Sequence, residues 1–584
     1  MKAVLCTLNA KYIHPSLALR YLERYCWGPS WRIETMEFTI NQPLDDIRTR
    51  LYLSQPDVLS FSCYIWNIEP ILALCRDLKP LIPDCIFILG GPEVSFDASS
   101  LLERFDNIGI IIRGEGEISL KQVLEHIAQG RSLADIDGIS YREDSIVYNN
   151  PDRELIKDLD TIPSAFDSDM SEYHDRLLYY ESSRGCPFNC SYCLSSTFDG
   201  VRTFSMDRVK NDLRLVMESG AGTVKFVDRT FNCHEKRARE IIEFIVDNNI
   251  STKFHFEVCA DLISDEFMSF LLEVPAETFS FEIGIQSTYL PALEAVNRRC
   301  DMQRFMSNVS QLAERGNIHL HIDLIAGLPW ERYIDFKKSF NQVYKLYPDI
   351  IQLGFLKMLK GSSIRKEADH YGYIYQELPP YQVLSSDFME YHEFIQLSYV
   401  ERLLDRYYNS GAFKNSIRYI TDIVYDEKPF DFFEDFAYFC EKQDWFMQGH
   451  NRSDEYNILM AFIEEKQPEH KGIINEYLKY DFVLNNRHNP LPKKLQGCIA
   501  AERTREKLYT LLRNRDFVNQ ILPEWSNLSK YDLSKRVQLE LFSLDPTNII
   551  KQNNENITIL FVYPINQRKA DRVIFIDEKC IDRI

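Results

Sequence analysis

The segment Arg184-Gly185-Cys186-Pro187-Phe188-Asn189-Cys190-Ser191-Tyr192-Cys193 constrains this chain more than any other. It places three thiols in a loop short enough to wrap one face of an inorganic centre. A structural zinc site needs four ligands in a closed tetrahedron, usually as two separated pairs. Only Cys233 with His234 could complete such a set here, and a predicted helix and strand lie between. Iron–sulfur clusters also normally take four cysteines. With three thiolates supplied and none following before Cys233, one iron of a cubic cluster is left open to another ligand. Most of the remaining cysteines, of 14 in 584 residues, are scattered through apolar patterns. They read as reduced core residues rather than the dense disulfide framework of a short secreted domain.

The loop sits within a run of alternating strand and helix patterns over residues 174–365, the mark of a parallel α/β sheet. Strand-like runs cover 177–183, 223–228, 253–258, 279–287, 319–328 and 350–356, with helical spacing at 207–219 and 237–248. Six such repeats predict a partial (β/α)6 barrel, whose ligands bind at the carboxyl ends of the strands. His255 and His321 fall in strand patterns and read as core or cavity-wall residues. Residues 1–150 predict a second unit, a doubly wound, Rossmann-like sheet with strands near 3–8, 57–62, 86–90 and 108–112 and helices near 16–25 and 67–78. Its glycine turns at Gly90-Gly91 and Gly114 allow close approach of backbone to a ligand. Residues 151–173 read as a linker. Residues 366–584 read as a mainly helical domain closed by a β pair, Asn556–Val562 with Arg572–Asp577. The fold class is therefore α/β multidomain.

The cysteine loop resembles the signature of the radical S-adenosylmethionine (SAM) superfamily. That resemblance implies that Cys186, Cys190 and Cys193 hold a 4Fe–4S cluster whose open iron chelates the amino and carboxylate groups of SAM. An electron from the reduced cluster then cleaves the sulfonium C–S bond to give a 5′-deoxyadenosyl radical. The same likeness implies SAM contacts at Tyr192, at Asp228 in Phe226-x-Asp228-x-x-Phe231-Asn232, at Glu282 and Gln286, and at Ile325 and Leu328 in Asp323–Pro329.

The first unit is similar to the cobalamin-binding domain found upstream of many such barrels. The likeness rests on Ser60-Phe61-Ser62 followed by Gly90-Gly91, and it implies cobalamin contacts at Ser60, Ser62, Cys63, Gly90, Gly91, Pro92, Glu93 and Gly114. The Asp-x-His-x-x-Gly segment of that domain is missing. Asn9-Ala10-Lys11-Tyr12-Ile13-His14-Pro15 stands in its place, so cobalamin would lack a protein histidine on its lower face. The tail resembles a domain of uncharacterised function that accompanies one cobalamin-binding radical SAM group.

The function implied is SAM cleavage with cobalamin, for methylation or another modification at an unactivated carbon. Its partners would be a small-molecule or peptide substrate and a low-potential electron donor of flavodoxin or ferredoxin type. Two alternatives stand beside it: a radical SAM enzyme whose first domain has lost cobalamin, and a non-enzymatic iron–sulfur sensor or electron carrier. The open iron argues against the second, since carriers normally close their clusters with a fourth ligand. The N-terminal region offers no three-cysteine group for a second cluster, which argues against methylthiolation.

Composition excludes other classes. A formal net charge of -20 is wrong for a protein that coats nucleic acid. No apolar run approaches the ~20 residues that span a bilayer, and the first residues lack a secretory signal. A cytoplasmic protein that engages neither membrane nor nucleic acid is expected.

Overall fold

The computed structural model describes residues 1–11, 14–166, 170, 176–197, 200–495, 501–547, 557–565 and 567–576. The expectations for Tyr12, Ile13, Asn556, Asp577 and the linker residues 167–169 and 171–173 lie outside the described residues. The chain divides into two compact units. The first comprises Met1–Ser339, Leu346–Pro348 and Gln352–Phe394; the second comprises Phe340–Lys345, Asp349–Ile351 and Ile395–Ile584.

Two sheets build the first unit. The N-terminal sheet has strands β1 (Lys2–Asn9), β2 (Arg32–Thr39), β3 (Val58–Ser62), β4 (Ile86–Gly90), β5 (Ile110–Ile112), β6 (Ile139–Glu143) and β7 (Ile146–Asn149). Their spatial order is β2-β1-β3-β4-β5-β6-β7. The first five are parallel, and β6 and β7 form an antiparallel edge. Ala3 to Leu8 are all buried, as a strand covered on both faces requires. Apolar side chains on the two faces gather into separate cores, one around Phe61, Phe87 and Leu102, the other around Leu5, Ile88 and Val123. The sheet is doubly wound, as expected. Sequence analysis missed β2, β6 and β7. β2 and β7 are edge strands whose polar residues dilute the apolar signal, and β6 carries Ser140, Arg142 and Glu143 in a run of only five residues.

The second sheet and its approaches run through β8 (Leu177–Tyr180), β9 (Ser183–Gly185), β10 (Val201–Thr203), β11 (Thr223–Phe226), β12 (Lys253–Glu257), β13 (Phe279–Gln286), β14 (His319–Ala326) and β15 (Ile350–Phe355). The six barrel strands lie in the order β8-β11-β12-β13-β14-β15, and β8 through β14 are parallel. The single strand expected over 177–183 is broken. β8 stops at Tyr180, and β9 leaves the barrel to pair antiparallel with β10. The diversion has a local cause, because the Asp228 carboxylate accepts the Ser182 N–H at 2.8 Å and bends the chain there. A short ribbon, β16 (Ile374–Tyr375) with β17 (Val383–Ser385), follows the barrel.

The second unit is mainly helical. Its long helices, Pro429–Lys442, Arg452–Lys466 and Lys471–Asn485, pack around aromatic rings such as Phe436 against Phe462 at 4.9 Å. The expected terminal β pair is a three-stranded antiparallel sheet: β18 (Val537–Phe542), β19 (Ile557–Val562) and β20 (Arg572–Ile576). The added strand, Val537-Gln538-Leu539-Glu540-Leu541-Phe542, begins with the apolar–polar alternation of a half-buried strand. Among the described residues, no helix is long and apolar enough to cross a membrane.

Candidate active site

The cysteine loop closes a hairpin. It leaves β9 at Gly185 and returns at Gly200 into β10. Gly185 has φ 100°, and a Cβ there would lie 2.1 Å from the Gly200 carbonyl oxygen, so glycine is required. The loop is fastened at its centre, where Ser191 donates its N–H to the Val296 carbonyl and accepts at its own carbonyl from the Ile364 N–H, both at 3.0 Å.

Cys186, Cys190 and Cys193 line one cleft together with Tyr192. The facing wall is made by barrel-strand ends and the loops after them: Arg229 and Thr230, Glu257 and Cys259, Glu282 and Gln286, Arg298 and Asp323. Among the described residues, no three His, Cys, Asp or Glu side chains form a group that could hold a single metal ion. The thiols instead ring a cavity, which suits a cubane that takes one thiolate at each of three corners. Two of them have polar neighbours. Thr230 Oγ1 lies 3.6 Å from Cys186 Sγ, and the Arg298 guanidinium donates to Cys190 Sγ at 3.7 Å. Arg298 also donates to the Gly284 carbonyl. Its Nε and the Gln286 Oε1 are buried without a partner, so the wall facing the thiols carries unspent donor and acceptor capacity of the kind a polar ligand would use.

Carboxylates on that wall differ in electrostatic state. Glu282 Oε2 accepts from both Lys225 Nζ and His255 Nε2 at 2.7 Å. Burial pushes its pKa up, but His255 and Lys225 outweigh this and hold it at about 2. Glu257 lacks such partners. Burial raises it to about 7, only partly offset by Arg229 at 3.9 Å, while the neighbouring Glu282 charge pushes it further up. His255 is thus a wall histidine bonded to a site carboxylate, and His321 lies 3.2 Å from Asp323. Gln286 sits at a register shift between β13 and β14 with φ 74°, a left-handed backbone that costs a side-chain-bearing residue about 1–3 kcal/mol.

Other expected SAM residues lie off the cleft. Asp228 is 1% exposed. Its Oδ1 accepts the Ser182 and Ser183 hydroxyls at 2.6 Å each, so its carboxylate holds the turn into the cysteine loop. Leu328 is fully buried, and Ile325, on β14, is not among the cleft-lining residues. Arg298, Thr230 and Glu257 were not singled out from the sequence. They join the cysteines only through the fold, Arg298 from 108 positions away, and no local spacing marks them.

The residues expected at cobalamin cluster at the carboxyl edge of the first sheet. Ser60 and Ser62 lie on β3, and the Cys63 N–H donates to the Gly90 carbonyl at 2.7 Å, tying β3 to β4. Gly91 has φ 106°, and a Cβ would stand 2.6 Å from the Cys63 carbonyl oxygen. Pro92 opens a short helix. Glu93, buried, accepts from Lys360 Nζ at 3.1 Å and from the Tyr381 hydroxyl. Gly114 has φ 71° and open space around it, and its N–H donates to Ser95 Oγ at 3.3 Å. The order β2-β1-β3 puts the topological switch between β1 and β3, where open α/β sheets bind ligands. Beside it the Tyr64 and Trp66 rings stack at 4.5 Å and 3°, and the buried Asn67 Nδ2 donates to the Leu8 and Ser62 carbonyls at 3.1 Å each. Sequence reasoning had taken Asn67 only as the start of a helix. His14, from the segment that departs from the cobalamin fingerprint, is instead 2.5 Å from the Tyr179 hydroxyl.

Comparison with known proteins fits this geometry. The B12 binding domain family matches residues 4–124, the radical SAM superfamily residues 180–343, and the family "Protein of unknown function (DUF4080)" residues 369–561. The chain thus joins a B12-binding domain to a radical SAM domain and a DUF4080 region. Its radical SAM domain is of the kind found in enzymes, and the DUF4080 region follows that domain in sequence. The protein named uncharacterized methyltransferase PH0819, from Pyrococcus horikoshii, is 27% identical over 315 residues, covering 53% of this chain and 68% of that protein. The hopanoid C-3 methylase of Methylococcus capsulatus is 26% identical over 313 residues, covering 51% of this chain and 58% of the methylase. Among solved structures, the cobalamin-dependent S-adenosylmethionine radical enzyme OxsB, with aqua-cobalamin and S-adenosylmethionine bound, shares the fold. The TM-score is 0.60 at 15% identity, covering 85% of this chain and 83% of that one.

Proposed function

We propose that this chain is a cobalamin-dependent radical SAM methyltransferase acting on an unactivated carbon of a small molecule or peptide, in the cytoplasm, with electrons from a flavodoxin- or ferredoxin-type donor. The supporting observation is the cleft in which three thiols of one loop face Glu282, Gln286 and Arg298. Cluster, SAM and cobalamin together supply one-electron C–S cleavage and a methyl carrier. The reading divides the chain at 1–150, 151–173, 174–365 and 366–584.

In this reading Cys186, Cys190 and Cys193 are the cluster ligands. Thr230 and Arg298 set the electrostatics of two of those sulfurs, since hydrogen bonds to cluster sulfurs shift reduction potential. Glu282, held as a carboxylate, and Gln286 take the SAM positions that the superfamily likeness gives them, with Tyr192 in the loop, while Ile325 and Leu328, which that likeness puts along the adenine, would support it from behind the cleft wall. Asp228 acts one step back, fixing the turn that aims the loop. Ser60, Ser62, Cys63, Gly90, Gly91, Pro92, Glu93 and Gly114 form the cobalamin cradle. Glycine at 91 lets the backbone come close, and no histidine is offered to the lower face.

The test is anaerobic reconstitution with iron and sulfide, addition of hydroxocobalamin and titanium(III) citrate, and SAM labelled on its methyl group. Label transferred to the corrinoid, with release of 5′-deoxyadenosine once substrate is supplied, is the expected result. A loaded cluster with no corrinoid retained would reduce the function to SAM cleavage alone. Corrinoid retained but never methylated would overturn the methyltransferase reading.

A further inference from the structure

Two arginines face each other across the hairpin that delivers the cysteine loop. Arg184 on β9 pairs in register with Arg202 on β10, an arrangement of like charges that is unfavourable by itself. What reconciles them is Glu115, from the loop after β5 in the first sheet. Arg202 grips both Glu115 oxygens, at 2.9 and 3.1 Å. Arg184 Nη1 reaches the same carboxylate at 3.2 Å, its Nη2 reaches Glu117 at 2.6 Å, and its Nε reaches Glu181 at 3.0 Å. Three faces of one guanidinium are thus spent on three carboxylates, two of them from the other sheet. The group is largely buried: Arg184 is 13% exposed and Glu117 6%. An ammonium cannot replace this fork, which needs a planar cation with fixed donor directions.

Position gives the contact its meaning. Arg184 is two residues before Cys186, and Glu115 directly follows Gly114. The loop after β4 is held in parallel fashion, with Glu93 and Asp97 both on Lys360 Nζ, at 3.1 and 2.9 Å, from the segment that follows β15. Both turns at the carboxyl edge of the first sheet, with the helix starts that follow them, are therefore pinned by partly buried cations from the barrel side of the same unit.

We propose that Arg184 is a positioning residue that locks the cysteine loop to the Gly114–Glu117 segment, where the turn after β5 enters the helix Gly116–Gln129, and so fixes the register between the two cofactor sites. What those loops hold rests on the function proposed above; the lock itself does not. Because removing one member of a buried ion pair leaves the others uncompensated, loss of Arg184 should free both loops at once.

The experiment follows hydrogen exchange by mass in the full-length, iron-reconstituted chain, over residues 110–118, 183–195 and β13. R184Q is expected to speed exchange about tenfold or more in the first two segments and to leave β13 unchanged. R184K should fall between R184Q and wild type, and E181Q, which removes charge only from the loop's own side, should affect 183–195 alone. Should R184Q fold poorly, E117Q keeps an acceptor for Arg184 but removes its charge. It should reproduce the two-loop pattern more weakly. An unchanged 110–118 segment in R184Q or E117Q, or acceleration of all three segments together, would overturn the proposal. Hydroxocobalamin uptake is measured on the same wild-type sample. If it fails, the cobalamin reading falls while the exchange data still decide the lock.

Discussion

Glu331 offers a sharp test of the electrostatics around the barrel. It is fully buried after β14, accepts from Ser287 Oγ at 2.5 Å and Ser339 Oγ at 3.3 Å, and forms no ion pair among the described residues. Burial raises its pKa to about 8, with Asp335 adding to the rise. The folded protein therefore holds a proton that the unfolded chain, with an ordinary carboxyl, releases near pH 4.5. Between those values the native state binds more protons, so stability is full below pH 4.5 and drains away as pH rises through 8. At 1.36 kcal/mol per unit, the loss between pH 5.5 and 8 is roughly 3 kcal/mol. Glu331→Gln keeps the shape and removes the titration. Anaerobic urea unfolding of wild type and E331Q at pH 5.5, 7 and 8 should give curves that diverge with pH, the variant gaining relative to wild type by about that amount. Parallel stability profiles would refute the assignment of a neutral, buried Glu331.

Other expectations follow from single contacts. Asp228→Asn sets an amide or a single acceptor against two hydroxyls and the Ser182 N–H; a lost buried partner of this kind costs about 1–3 kcal/mol, and iron bound per chain after reconstitution should drop. Gly91→Ala should weaken hydroxocobalamin binding through strain at φ 106° while iron uptake holds, and equal corrinoid affinity would count against the cradle. With its pKa at about 2, Glu282 is ionised throughout the working range. Its contribution to SAM affinity should be constant from pH 5 to 8, and a fall in affinity toward pH 5 that E282Q abolishes would contradict that charge state.

Local chemistry was readable in the sequence, and long-range geometry was not. The cysteine spacing, the six barrel strands and the Gly90-Gly91 turn each declare themselves within a few residues, because sterics and period-two burial act locally. Gln286 was visible as a residue type but not as a left-handed bulge between β13 and β14. Asp228 read as a ligand contact, yet its carboxylate is spent on Ser182 and Ser183, a partnership only the bend after β8 creates. Arg298 and the Arg184–Glu115–Arg202 group depend on elements far apart in the chain. The edge strands β2, β7 and β18 were missed for a related reason, since one exposed face makes a strand resemble a polar loop, and β6 was missed as a short strand rich in polar residues.

The central claim is that three thiols hold a cluster with one iron free for SAM. Electron paramagnetic resonance of the dithionite-reduced, reconstituted protein, recorded with and without SAM, tests it most directly. A 4Fe–4S signal that changes when SAM is added, and that is lost in C186A, C190A and C193A, is the expected result. A fully loaded cluster whose spectrum ignores SAM, or one that survives removal of any of the three cysteines, would contradict it.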